Sequence, residues 1–143
     1  MSNLNAVFLD RASLYPDDLD FTPLDDVACW QWFDNAEVND IQHSLKHAEV
    51  LVTNKVVLNS ELINSCEQLR LICVAATGVN NVDLVSAKKR HVVVCNVRAY
   101  ATPSVVEHVF SLLLALNRKL FTYKSSVSDG DWSNSEFFCY FDA

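Results

Sequence analysis

Three short polar segments of this chain carry residue types suited to holding a small anion. Thr77-Gly78-Val79-Asn80-Asn81 follows directly on the apolar run Leu71-Ile72-Cys73-Val74-Ala75-Ala76. A glycine there has no Cβ to keep a ligand away from the backbone. Successive backbone N–H groups at the mouth of a helix attract the oxygens of a carboxylate. The same residues would also make a plain strand-to-helix turn that binds nothing. Asn54-Lys55 ends the run Val50-Leu51-Val52-Thr53, and Asn96-Val97-Arg98-Ala99-Tyr100 ends the run His91-Val92-Val93-Val94-Cys95. Asn54 offers an amide and Lys55 a cation, although a lysine in such a place is also an ordinary solvated side chain. Tyr100 is either a ligand contact or a packing residue.

Other chemistry is thinly represented. His43 and His47 stand four apart, which would put two imidazoles on one helix face, but no third ligand lies nearby in the sequence and they read as surface histidines. Glu107 and His108 are adjacent, and adjacent helix residues face different ways, so they make no hydrogen-bonded dyad. The five cysteines, Cys29, Cys66, Cys73, Cys95 and Cys139, are odd in number and show no C-x-x-C spacing. Cys73 and Cys95 sit inside apolar runs and are expected to be small buried hydrophobes. The only glycines are Gly78 and Gly130, too few for a G-x-G-x-x-G turn around a dinucleotide phosphate. No catalytic residue and no metal site is therefore assigned.

Length and composition bound what must position these segments. The chain has 143 residues, half of them hydrophobic and a fifth charged, which suits one globular domain with a core. A net charge of −7 repels phosphate backbones and argues against a nucleic-acid partner. No run reaches the roughly 18 apolar residues of a membrane span, and the first residues lack a signal-peptide pattern. A cytoplasmic protein is expected.

Short apolar runs alternate with helical stretches. Strands are expected at Ala6–Asp10, Val27–Trp32, Val50–Thr53, Leu71–Ala76 and His91–Cys95. A helix capped by Asn35 would carry Val38, Ile41, Leu45 and Ala48; a second opens at Asn59 or Ser60; a third carries Val82, Leu84 and Val85 and closes on Lys88-Lys89-Arg90, cations that suit its dipole. This alternation implies an α/β domain of the flavodoxin-like kind over residues 1–100: five parallel strands in the order 2-1-3-4-5, flanked by helices. In such sheets ligands gather at the carboxyl ends of the strands, where all three polar segments fall.

Beyond Tyr100 the pattern changes. Thr102-Pro103 suits a helix entry, with threonine as cap, and Ser104-x-x-Glu107 offers a rival start. A long apolar helix over 101–123 follows. It is apolar nearly all round, so it should be buried on most sides, as a hinge helix packed between this domain and another body. Residues 124–143 form an arm with a turn at Asp129-Gly130 and an aromatic cluster of Phe137, Phe138, Tyr140 and Phe141.

Three segments together resemble one family. Ala75-Ala76-Thr77-Gly78-Val79-Asn80-Asn81-Val82-Asp83 is similar to the substrate loop of the D-isomer-specific 2-hydroxyacid dehydrogenases. Asn96-Val97-Arg98-Ala99-Tyr100-Ala101-Thr102-Pro103-Ser104-Val105-Val106-Glu107-His108 resembles their strand-to-hinge-helix segment. Gly130-Asp131-Trp132-Ser133 to Phe138-Cys139-Tyr140-Phe141 resembles the stretch before their dinucleotide fingerprint. The pattern is most similar to the glycerate dehydrogenase (hydroxypyruvate reductase) branch.

The resemblance implies a two-domain enzyme in which NAD or NADP exchanges hydride with a small 2-oxo or 2-hydroxy acid. It implies that Thr77, Gly78 and Val79 take the substrate carboxylate and that Asn54, Lys55 and Tyr100 face the same cleft. It puts Thr102 and Val106 near the nicotinamide, though plain helix core suits Val106 as well. The family's catalytic arginine, glutamate and histidine have no counterpart in this chain. The chain is therefore expected to be the substrate part of a longer protein, truncated before the cofactor fingerprint, inactive by itself and homodimeric when whole. Two rivals are a stand-alone flavodoxin-like module, such as a receiver domain built around Asp10, and a non-enzymatic NAD-sensing corepressor of the same family.

Overall fold

A computed structural model of the chain describes residues 4–14, 19–37 and 41–137, within two compact units, Met1–Arg98 and Ala99–Ala143. Five strands lie in the first: β1 (Leu4–Phe8), β2 (Ala28–Trp32), β3 (Val50–Thr53), β4 (Leu71–Val74) and β5 (Val93–Asn96). They pair in parallel in the order β2-β1-β3-β4-β5, the arrangement that the alternation of runs implies. Registered residues point to the same face. Val7, Leu51, Ile72 and Val94 therefore form one row across the sheet, and the first three are buried. Above this row pack Leu45 and Ala48, then Leu62, Ile63 and Cys66, then Ala87, in one continuous cluster. Each fully buried leucine or isoleucine there contributes about 1.5–3 kcal/mol.

The opposite face has less cover. Ala6, Ala28 and Val50 are buried, with Trp30, Val52 and Leu71 partly so. Near β2 four rings close it: Trp32 stacks on Phe8 at 5.5 Å and on Trp30 at 4.9 Å, and Phe21 leans on Trp32 at 5.2 Å. Trp30 Nε1 donates to Leu24 O at 2.8 Å, which ties the intervening loop to the sheet. Cover falls away toward β5, where Val93 is 57% exposed and Cys95 is exposed. The expectation that Cys95 is buried is thus corrected: an edge strand has a neighbour on one side alone. Cys73, one strand further in, is half-buried.

The helices of this unit are short. α1 spans Gln42–Lys46, not the stretch expected from Asn35. The backbone of 33–36 is already engaged by the end of β1: Phe33 N–H donates to Phe8 O, Arg11 N–H to Phe33 O and Ala36 N–H to Leu9 O, at 2.8–2.9 Å. Ile41, Leu45 and Ala48 are buried, and Val38 lies outside the described residues. α2 (Ser60–Ser65) is capped by Asn59, whose side chain accepts from Leu62 N–H at 2.9 Å. α3 (Leu84–Lys89) is capped by Asp83, which accepts from Val85 and Ser86 N–H at 3.0 and 3.1 Å. The bonds from Ser86 hold the Asp83 carboxyl below the usual carboxylate range. α3 buries Ser86 and Ala87 and leaves Leu84 and Val85 exposed. Arg90 does not serve its own helix. Its guanidinium donates to Ile63 O, Asn64 O and Glu67 O at the carboxyl end of α2.

The second unit holds α4 (Thr102–Asn117), α5 (Leu120–Ser128) and α6 (Asp131–Asn134). α4 begins at Thr102 with Ala101 before it, and no side chain caps it, so neither Thr102 nor Ser104 takes the cap role expected of it. Where one helix was expected over 101–123, α4 stops at Asn117 and Lys119 turns left-handed at φ 50° before α5 begins. α4 buries none of its residues, contrary to its all-round apolar pattern; Val105, Phe110, Leu113 and Leu116 are 57–69% exposed. Gly130, at φ 81°, makes the turn into α6. Phe138, Tyr140 and Phe141 lie outside the described residues. No helix among the described residues is long and apolar enough to cross a membrane.

Candidate functional site

Parallel strands deliver their following loops to one end of the sheet, so the ends of β1, β3, β4 and β5 converge there. The centre of this end is a carboxylate that the sequence marks only as a charged residue closing an apolar strand. Asp10 is 3% exposed. It accepts the backbone N–H of Asn54 at 2.9 and 3.1 Å, of Lys55 at 2.5 Å and of Val56 at 3.1 Å. The loop after β3 thereby wraps an internal anion. The Asn54 side-chain amide donates to Ser13 O and Ser13 Oγ, at 3.2 and 3.0 Å. Both donors of Asn54 are thus bonded inside the protein, whereas the Lys55 side chain extends from an exposed position.

The loop after β4 is held from both flanks. Asn81 Nδ2 donates to Val56 O at 3.0 Å, Leu58 N–H to Asn81 O at 2.8 Å and Asp83 N–H to Leu58 O at 2.9 Å. On the other side, Asn96 Nδ2 donates to Thr77 O at 2.7 Å and Val97 N–H to Ala76 O at 3.1 Å. Between these anchors the backbone N–H groups of Thr77, Gly78, Val79 and Asn80 donate to no acceptor of the described residues. Thr77, Gly78 and Asn80 are exposed and Val79 is half-buried. A Cβ on Gly78 would meet Asn80 Oδ1 at 2.9 Å, the movable end of a side chain. The fold therefore makes only a weak demand for glycine there.

The sheet end thus brings together Asn54, Lys55, Thr77, Gly78 and Val79, with Asp10, Ser13, Asn81 and Asn96 as the groups that fix their loops. Sequence reading did not single out those four for this purpose. The signal available was a polar residue closing each apolar run, at Asp10 and Asn96. Tyr100, Thr102 and Val106 belong to the second unit, where all three are exposed. No three of the described His, Cys, Asp or Glu side chains gather as a metal site. His43 of α1 and His47, just past its end, meet edge to face at 5.2 Å.

Comparison with known proteins gives concordant likenesses. The sequence pattern described as "D-isomer specific 2-hydroxyacid dehydrogenase, catalytic domain" matches residues 10–136. A glycerate dehydrogenase of Methylorubrum extorquens is 43% identical over 103 residues, covering 72% of this chain and 33% of the relative. A hydroxypyruvate reductase of Blautia hydrogenotrophica is 29% identical over 142 residues, covering 97% and 44%. Among solved structures, the D-lactate dehydrogenase of Aquifex aeolicus complexed with NAD and lactic acid superposes with a TM-score of 0.73 at 25% identity, covering 96% of this chain and 39% of that one. The chain spans between a third and a half of the length of these relatives.

Proposed function

The chain belongs to the D-isomer-specific 2-hydroxyacid dehydrogenase family, whose named relatives are dehydrogenases and reductases, and on that premise we propose that it is the acid-holding domain of an NAD(P)-dependent oxidoreductase. The proposed substrate is a small 2-oxo or 2-hydroxy acid, hydroxypyruvate or D-glycerate first, after the relatives named above. One observation carries the reading: successive backbone N–H groups from Thr77 to Asn80 have no acceptor among the described residues, on a loop anchored at both ends. A carboxylate would satisfy them, and bonds from N–H to a charged acceptor are the stronger kind. In this reading Lys55 adds attraction for the anion. Asn54 acts by holding its loop against Ser13.

The chain's own residues do not furnish the cofactor site. Gly78 lies in the acid loop and Gly130 in the turn before α6, so neither belongs to a phosphate-cradling glycine turn. In this reading Thr102 and Val106 border a nicotinamide whose phosphates are held outside this chain. No hydride or proton step is derived from the residues present. We propose that the chain alone turns over no substrate and that the whole protein is a homodimer, a reading supported by the exposed apolar side chains of α4. The receiver-domain reading has less support, because the Asp10 carboxylate is occupied by three backbone N–H groups.

The test is amide NMR of the labelled chain titrated with hydroxypyruvate. Shifts should concentrate on the amides of Thr77 to Asn80 and disappear in Gly78→Ala, with the rest of the spectrum unchanged. Shifts spread elsewhere, or identical in the variant, would refute the cradle. Steady oxidation of NADH by the chain with hydroxypyruvate would refute its inactivity.

A further inference from the structure

The row of residues across the less covered face of the sheet runs Trp32, Phe8, Val52, Cys73, Cys95. Its last two members are direct register partners on adjacent parallel strands. Neighbouring strands lie about 4.8 Å apart, within the roughly 4.4–6.8 Å Cα separation a disulfide bridges. Both side chains leave the same face, because registered residues share a side of the pleat. Both thiols are free. Of the other described cysteines, Cys29 is on β2, at the far edge of the sheet, and Cys66 is buried just beyond α2 in the cluster on the opposite face, so neither competes for Cys95.

We propose that Cys73 and Cys95 are a dithiol modification site that closes to a reversible intramolecular disulfide when the chain meets a peroxide. Cys95, the exposed member, reacts first. Its sulfur attacks a peroxide oxygen, the O–O bond breaks, and the released hydroxide takes the thiol proton to become water, leaving Cys95 as a sulfenic acid. The Cys73 sulfur then attacks the Cys95 sulfur. The S–S bond forms, the S–O bond breaks, and the departing hydroxide takes the Cys73 proton as a second water. Two thiols are oxidised and one hydrogen peroxide is reduced to two waters. Burial, and next to it the neighbouring Cys95, raises the Cys73 thiol above its ordinary range, which disfavours its thiolate and leaves the first reaction with peroxide to the exposed Cys95.

The bond would be labile. A disulfide prefers Cβ atoms about 3.8 Å apart, so β5 must close on β4, and strained or exposed disulfides are the easily reduced ones. β5 has a strand on one side alone and can make that shift. The segment it draws with it includes Asn96, next to Cys95, whose side chain holds Thr77 O.

The chain is treated with dilute hydrogen peroxide, alkylated and digested with trypsin. Cleavage at Arg70, Lys88, Lys89, Arg90 and Arg98 puts Cys66, Cys73 and Cys95 on separate peptides. The expected result is a linked pair of the Cys73 and Cys95 peptides, an intact mass lower by two hydrogens, and return to the starting mass with dithiothreitol. In Cys73→Ser, Cys95 should instead advance to sulfinic acid or join two chains. Recovery of Cys73 alkylated while Cys95 is over-oxidised in the unaltered chain would overturn the proposal. So would linkage of either to Cys29, Cys66 or Cys139.

Discussion

Asp10 shows how much of the site depends on one residue. Its carboxylate, itself buried, collects three consecutive N–H groups from a loop 44–46 positions later in the chain, where the alternative is a buried charge without a partner. Asp10→Asn keeps the shape but turns part of the acceptor into a donor facing those amides. The expected loss is about 2–4 kcal/mol, since each bond to a charged group is worth roughly 1.5–3 kcal/mol; urea unfolding measures it, and an unchanged midpoint would contradict the role. Gly78 is the opposite case. A Cβ there meets only a side chain that can swing away, so Gly78→Ala should move the unfolding midpoint little while removing the acid-dependent amide shifts. One substitution would change stability through the scaffold, and the other binding through the surface of the loop.

At the scale of elements, short helices survive because their ends are satisfied. α3 closes with His91 N–H donating to Lys88 O and Val92 N–H to Ala87 O, at 3.1 and 2.9 Å, around His91 at φ 58°. That is the helix ending in which glycine is usual, because a left-handed residue with a Cβ is disfavoured by about 1–2 kcal/mol. His91→Gly is therefore expected to raise stability by about 0.5–1 kcal/mol after the greater freedom of glycine in the unfolded chain is set against it. A fall in melting temperature would show that the imidazole has an energetic role of its own. The same logic explains Arg90, which the sequence suggests as a cation for the dipole of α3. It lies close enough to α2 to serve that helix's last carbonyls instead.

At the scale of the molecule, α4 exposes a run of large apolar side chains. Val105, Val106, Val109, Phe110 and Leu113 are each about half exposed or more. Contiguous apolar surface of this kind marks an interaction site or an aggregation liability. Sedimentation velocity over a range of concentrations should show the weight-average mass of the chain rising, and Leu113→Lys should suppress the rise. A single monomer boundary at every concentration would count against both the association and the proposed homodimer.

The order of strands and helices was legible in the sequence because it rests on local signals. The β-branched runs Val50–Thr53 and Leu71–Val74, the cap at Asn59 and the glycine after β4 each act within a few residues. A parallel sheet with short crossovers leaves few arrangements for five such runs. The family was legible for the same reason, through three segments read in order. What the sequence could not determine is which distant group answers each N–H. Asp10 takes the amides of the loop after β3, and the backbone after β2 is drawn to β1, so α1 starts late. Cys95 lies at an open edge rather than inside, and the amides of Thr77 to Asn80 find no acceptor among the described residues. The first two depend on residues far apart in the chain coming within about 3 Å, and the last two on where the fold leaves an edge or a loop without a neighbour; only the folded chain decides either.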